Sequence, residues 1–237
     1  MPPAVQGRGY DASSAARRND DKMKALVTGF EPFGADAVNP SREAVLRLPA
    51  LLGELAIETR ILPTVFGRAI AALEDALVTT RPDIVLCTGL AGGRAELSLE
   101  RVAINVDDAR IPDNDGQQPI DRPIVAGGPA AYFTGLPVKA AVAALREAGL
   151  PAIVSNTAGT FVCNHIFYGL MHLIASRHLP VRGGFLHVPY LPEQAAGLAG
   201  AQVPSMALAD IVHGTEIILR VAVARTDDIA TAEGAIA

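Results

Sequence analysis

The stretch Asp83-Ile84-Val85-Leu86-Cys87-Thr88-Gly89-Leu90-Ala91-Gly92-Gly93-Arg94 reads as an apolar strand running into a glycine-rich loop, and an alanine-rich helical pattern over residues 66–79 precedes it. A helix feeding a strand that is apolar on both faces, with glycines where the strand ends, is a building unit of a mostly parallel sheet covered on both sides. The same alternation continues outward in both directions. Strands are expected over residues 25–28, 58–62, 83–87, 102–106, 152–155 and 184–188. Helices are expected over 41–48, 66–79, 138–148 and 207–220, and another begins near Cys163 with Ile166, Leu170, Leu173 and Ile174 at helical spacing. Ser41 is the expected N-cap of the first helix. The fold class is therefore α/β, as one domain over residues 23–237. Residues 1–22 carry Ser, Ala, Gly and mixed charge without apolar periodicity, and are expected to be a disordered extension.

Composition narrows the function. With 237 residues, half of them hydrophobic and 19% charged, the chain can bury a sizeable core. A net charge of −5 and no basic run longer than Arg17-Arg18 argue against nucleic acid or an anionic membrane as partners. No apolar run approaches the roughly 18 residues of a membrane span, and the N-terminus lacks the apolar core of a signal peptide, so a cytoplasmic location is expected. The two cysteines do not make a disulfide framework, and Cys87 inside its apolar run suits a buried reduced thiol. No Cys/His cluster of zinc spacing and no H-E-x-x-H is present, so neither metal nor cofactor is expected. Residues 107–135, rich in Asp, Pro, Gly and Gln, read by default as an irregular surface loop, with a lid or an oligomer contact as the functional alternatives.

In open α/β sheets, ligands bind beyond the carboxyl ends of the strands. Segments expected to end there are Gly29-Phe30-Glu31-Pro32-Phe33-Gly34, the glycine loop through Arg94, residues 157–163 and His187-Val188-Pro189-Tyr190. Cys163 stands between a loop and a helix, where the positive end of the helix dipole favours thiolate; the alternative is a small buried hydrophobe. Of the five histidines, His187 at a strand end is the best candidate base, since His165 lies roughly 200° round the helix from Cys163. An orienting carboxylate could come from Glu31, Glu96, Glu100, Asp107, Asp108 or Glu193, and spacing does not choose among them. Phe30 and Phe33 flank a turn, either stapling it to the core or walling a slot for a flat ring. The glycine loop lacks the order of a nucleotide site. It would instead bring backbone amides close to a substrate or oxyanion, with Arg94 adding positive charge.

Taken together, these residues resemble the pyroglutamyl peptidase I family over nearly the whole chain from Lys24. The matching blocks are Leu26-Val27-Thr28-Gly29-Phe30-Glu31-Pro32-Phe33-Gly34 with Asn39-Pro40-Ser41, then Ala91-Gly92-Gly93-Arg94 with Glu100-Arg101-Val102-Ala103-Ile104-Asn105 and Asp108-Ala109-Arg110-Ile111-Pro112-Asp113-Asn114. Further on come Ser155-Asn156-Thr157-Ala158-Gly159-Thr160-Phe161-Val162-Cys163-Asn164-His165 and Gly184-Phe185-Leu186-His187-Val188-Pro189-Tyr190-Leu191-Pro192-Glu193-Gln194. The resemblance implies an α/β/α sandwich like that of nucleoside phosphorylases, a cysteine peptidase that removes N-terminal pyroglutamate from peptides, and a Glu100–Cys163–His187 triad. It further implies that Phe30, Phe33 and Asn39 hold the pyroglutamyl ring, that Arg94 lies near the reaction centre, and that the enzyme is a homotetramer. Leu90 departs from the family's usual Gln, so only a backbone contact would survive there, and Arg42 replaces a usual Trp. The competing functions are a phosphorylase-like transferase that holds phosphate with the glycine loop and Arg94, and a pyroglutamyl-peptide binder without activity.

Overall fold

A computed structural model of the chain describes residues 22–198 and 203–234. Apart from Lys22, the expected N-terminal extension lies outside the described residues. The elements in chain order are β1 (Lys24–Phe30), α1 (Pro40–Val45), β2 (Leu51–Leu52), β3 (Leu55–Leu62), α2 (Arg68–Thr80), β4 (Ile84–Leu90), β5 (Leu97–Glu100), β6 (Val102–Ile104), β7 (Ala131–Phe133), α3 (Val138–Glu147), β8 (Ala152–Ser155), α4 (Val162–Ser176), β9 (Arg182–Val188), α5 (Pro192–Gly197) and α6 (Leu208–Ala224). The central sheet has seven strands in the order β2-β3-β1-β4-β9-β5-β8.

Strand residues alternate between two cores, as the pleat requires. Ala25, Val27, Ile84, Leu86, Leu97, Leu99, Leu186 and Val188 pack under α1, α3 and α6. Leu26, Val85, Cys87 and Phe185 face α2 and α4. Helices on both faces of one sheet make the expected three-layer sandwich.

Two departures from the sequence reading bear on the site. β3, β1, β4 and β9 are mutually parallel, but β5 runs antiparallel to β9 and β8 follows β5. The connection over residues 91–96 is too short for a parallel crossover of about a dozen residues, so the chain must reverse after β4. The apolar run at 102–106, expected in the central sheet, contributes β6 to a separate two-stranded ribbon with β7. Its place in the central sheet is taken by β5, which was not expected.

The first turn of α1 differs as well. Asn39, not Ser41, is the N-cap: its Oδ1 accepts from the Ser41 amide at 3.0 Å and from Ser41 Oγ at 2.8 Å. The amide of Phe30 donates to Ser41 Oγ at 3.1 Å, which ties the end of β1 to the helix. Gly29 permits this approach, since a Cβ there would lie 2.7 Å from the Ser41 carbonyl oxygen.

The long segment 107–135 is a fixed wall, not a plain surface loop. Asp107 and Arg122 form a backbone bridge, and the Asp113 carboxylate accepts from the amides of Phe66, Asp115 and Gln117. Asn114 reaches back to the Phe33 turn, accepting from the Gly34 amide and donating to the Pro32 carbonyl.

The start of α4 is held by the residues that follow Cys163. Buried Asn164 accepts from the Ile104 amide and donates to the carbonyls of Ile104 and Val106. About 100° further round the helix, His165 accepts at Nε2 from the Gly67 amide, at 2.8 Å, so Nδ1 carries the proton and donates to the Asp107 carboxylate at 2.8 Å. His165→Ala would strand a buried carboxylate and a backbone N–H together. A loss of about 3 kcal/mol is expected, measured by urea unfolding.

Candidate active site

The candidate nucleophile, base and carboxylate arrive from separate elements on the α4 face of the sheet. Cys163 is the second residue of α4, half-buried, and the helix N-cap Phe161 offers no side-chain acceptor. The amides of the first helical turn are thus uncapped by any side chain, and point where an oxyanion can be met. His187 is in the last turn of the pleat of β9, in register with Gly89 of β4. Register partners in a parallel ladder project from the same face, so the His187 ring stands beside the space above Gly89. Cys163 fills that space: a Cβ on Gly89 would lie 2.7 Å from its sulfur and 3.0 Å from the Phe185 ring. A glycine at this point of the strand is what allows sulfur and imidazole to share one face of the sheet.

Glu100, the last residue of β5, is fully buried. Its register partner is Phe185, so its side chain reaches His187 along the diagonal of the antiparallel pair. His187 Nδ1 donates to Glu100 Oε1 at 2.7 Å. This bond fixes the tautomer and leaves Nε2 as an acceptor. The Phe185 ring meets the imidazole edge-on, with centroids 4.8 Å apart, and limits its rotation.

Burial dominates the electrostatics. It lowers the pKa of His187 from its ordinary value, more than the bond to Glu100 raises it, and Arg94 acts in the same direction as burial. Burial also pushes the Cys163 thiol up to about 12, with the Glu100 carboxylate adding to the rise and Arg94 opposing it. The resting pair is therefore neutral thiol and neutral imidazole. The thiolate expected from the helix dipole alone is outweighed by desolvation.

Beside the sulfur lies a cavity of about 450 Å³. Phe30, Phe33, Asn39 and Leu90, all singled out from the sequence, line it with Cys163. The Phe33 ring packs edge-on against Phe161 at 5.3 Å. The polar atoms of Asn39 serve the scaffold as well, because Nδ2 donates to the Glu31 carbonyl while Oδ1 caps α1. Arg94 is not among the lining residues. Its Nη1 donates to Glu100 Oε1 at 2.8 Å and to Ser155 Oγ at 3.3 Å, and its Nη2 to the Thr157 carbonyl at 3.2 Å. Of the other candidate carboxylates, Asp107 is engaged by His165, and Asp108 lines the cavity.

Phe161, Arg110 and Tyr190 also line the cavity; the sequence reading placed the segments of Phe161 and Tyr190 at the crevice but gave none of the three side chains a role. A signal for Tyr190 existed in the glycine loop, since a Cβ on Gly92 would lie 2.6 Å from the Tyr190 ring. Cys87 is fully buried, as expected, and burial pushes its thiol up to about 12.

Gly89→Ala places a methyl group against the seat of the sulfur while leaving the strand intact. With Cys163 as nucleophile, kcat/KM of the folded variant should fall by at least about 100-fold, because displacing a reacting atom by an ångström is enough to cost that much, and the overlap with sulfur and the Phe185 ring should cost about 1–3 kcal/mol of stability in urea unfolding.

The chain is similar to known proteins over most of its length. The family model described as pyroglutamyl peptidase matches residues 23–225. Pyrrolidone-carboxylate peptidase 1 of Ralstonia nicotianae is 59% identical over 210 residues, which cover 88% of this chain and 97% of that one. The crystal structure of pyroglutamyl peptidase I from Bacillus amyloliquefaciens superposes with a TM-score of 0.86 at 49% identity, covering 90% of this chain and all of that one. A mutant pyrrolidone carboxyl peptidase from Pyrococcus furiosus superposes with a TM-score of 0.83 at 43% identity, covering 85% of this chain and 99% of that one. With a family match across the described core, relatives aligned almost end to end and the same fold, the chain belongs to the pyroglutamyl peptidase family.

Proposed function

We propose that the protein is a cysteine peptidase that hydrolyses the bond following an N-terminal pyroglutamate, with Cys163 as nucleophile, His187 as general base and acid, and Glu100 as the orienting carboxylate. The observation that carries this reading is the Cys163 sulfur seated on Gly89, in register with an imidazole whose Nδ1 is bonded to a buried carboxylate.

In the proposed reaction, His187 Nε2 takes the thiol proton as sulfur attacks the pyroglutamyl carbonyl carbon, and the carbonyl electron pair moves onto oxygen. The uncapped amides at the start of α4 stabilise that oxyanion. When the tetrahedral intermediate collapses, the C–N bond breaks and His187 gives its proton to the departing amine. Water, deprotonated by His187, then attacks the thioester, releasing pyroglutamate and restoring the thiol. Every proton transfer is served by a side chain of the protein, so no cofactor is invoked.

The cavity suits a small flat lactam. Phe30, Phe33 and Leu90 offer apolar surface to its ring, while a remaining N–H of Asn39 and nearby backbone groups can pair with its polar edge. N-terminal pyroglutamyl peptides are the proposed substrates. A homotetramer and a cytoplasmic location belong to the same proposal; exposed Ile120 and Phe133 offer apolar surface for an assembly.

Hydrolysis of a pyroglutamyl fluorogenic amide tests the reading. Cys163→Ser should abolish turnover and Cys87→Ser should not, and iodoacetamide should inactivate the wild type; equal activity in both variants would exclude the assignment. Phosphate-dependent turnover that survives alkylation would point instead to a transferase.

The pH dependence has a definite sign. His187 must be neutral to accept the thiol proton, and its pKa in the fold is lowered from 6.5. The acid limb of kcat/KM, which reports the free enzyme, is therefore expected below pH 6.5, with activity lost as pH falls through that limb. The high thiol pKa keeps Cys163 protonated across neutral pH, so no second loss is expected between pH 7 and about 9. A pH profile of kcat/KM checks both limbs.

A further inference from the structure

The glycine loop that closes β4 ends in a side chain that the proposed reaction does not use. Gly93 has φ 89°, a left-handed conformation open to glycine, and the chain turns there so that Arg94 faces back towards the sheet. The Arg94 guanidinium meets acceptors from different segments. Glu100 Oε1 lies at the end of β5, Ser155 Oγ at the end of β8, and the Thr157 carbonyl in the loop that leads to Cys163. Glu100 and Ser155 are register partners, so the fork spans the seam between the two strands.

Both bonds to the carboxylate converge on one atom. Oε1 accepts from Arg94 at 2.8 Å and from His187 Nδ1 at 2.7 Å, whereas Oε2 is buried with no hydrogen-bond partner among the described residues. A carboxylate with a free, buried oxygen is held in orientation only by what binds the other oxygen. Without Arg94, the single bond from His187 would have to hold a fully buried charge and its own alignment together, and burying a charge without a counter-charge is costly.

We infer that Arg94 is the positioning residue of the site: its guanidinium aims Glu100 Oε1 at His187 and ties that carboxylate to the loop that delivers Cys163. It does not contact the substrate, in keeping with its place outside the cavity lining. The inference rests on the proposed reading of Glu100, Cys163 and His187 as one catalytic unit.

The charge of Arg94 has a second effect. The charged and titratable groups about His187 are Glu100 from β5, Arg94 from the preceding turn and Cys163 from α4, with Cys87 further along β4; Arg94 acts to keep both His187 and Cys163 from holding a proton. Removing it should move the acid limb of kcat/KM to higher pH.

The test is steady-state hydrolysis of a pyroglutamyl amide by full-length wild type, R94Q, R94K and C163S across a pH series. For R94Q, kcat is expected to fall by about 10- to 100-fold, as for residues that orient a catalytic ligand or base, with KM within about threefold and the acid limb shifted upward. R94K keeps the cation but cannot span the acceptors; its kcat should lie between wild type and R94Q with the acid limb near wild type, and it carries the test if R94Q does not fold. A raised KM with kcat intact would make Arg94 a substrate-binding residue and overturn the inference, as would R94K or R94Q with wild-type kcat, or an unmoved acid limb in R94Q. Should C163S hydrolyse the amide as fast as wild type, the catalytic reading itself fails; a dead C163S beside an unimpaired R94Q removes only the role of Arg94.

Discussion

A carboxylate held without solvent inside a sheet is the constraint around which this protein is arranged. Glu100 is fully buried, and a lone charge in that position would be too costly to keep. Its neighbours answer that cost: a guanidinium on one side and an imidazole N–H on the other, both on the same oxygen. The carboxylate needs β5 to run against β9, because only that register brings its side chain diagonally to His187. The reversal of β5 follows in turn from the short glycine loop that precedes it. A structural economy in the chain, a connection too short to cross over, thus underlies the proposed relay.

The cysteine is positioned by a different logic. Residues 164 and 165 spend their side chains on anchoring, one to β6 and the other to Asp107 and the start of α2. The loop before the helix is tied to the long segment by reciprocal bonds between Asp108 and Thr160. With the helix held at two points of its first turn, the sulfur has one seat, above a residue that must lack a side chain. Rigid backing of this kind keeps reacting atoms in place without contributing to the chemistry itself. It also explains why the segment over 107–135, polar and irregular in composition, is densely bonded: it is the wall of the cavity and the tether of the nucleophile.

Much of the fold was legible because its signals are local. Among the parallel core strands, β1, β4 and β9 show as apolar runs with glycine near one end and β3 as a shorter β-branched run, while α2, α3, α4 and α6 show as periodic apolar faces. The short elements were not. Leu97-Ser98-Leu99-Glu100 has the alternation of a strand but few residues, while Val102-Ala103-Ile104 looks the stronger strand and sits in the minor ribbon. Propensity cannot rank two adjacent short runs, since pairing partners decide which of them enters the sheet. The cap of α1 was misplaced by two residues for a similar reason, as Asn39 and Ser41 are both good caps and the outcome depends on how Pro40 enters the helix.

By itself the sequence determined the α/β class, the candidate cysteine and the candidate histidine at a strand end, because hydrophobic periodicity and helix or strand termini are written in neighbouring residues. Its motif blocks also carried the family. Spacing left the carboxylate open and the family resemblance implied Glu100; only the tertiary structure shows its bond to His187, the burial that raises the Cys163 thiol pKa, and that Arg94 faces the carboxylate and not the cavity. Each of those depends on distances between residues far apart in the chain and on how much water is excluded around them. Pairing across a sheet and the desolvation of a charge are properties of the assembled core, and no local stretch of sequence contains them.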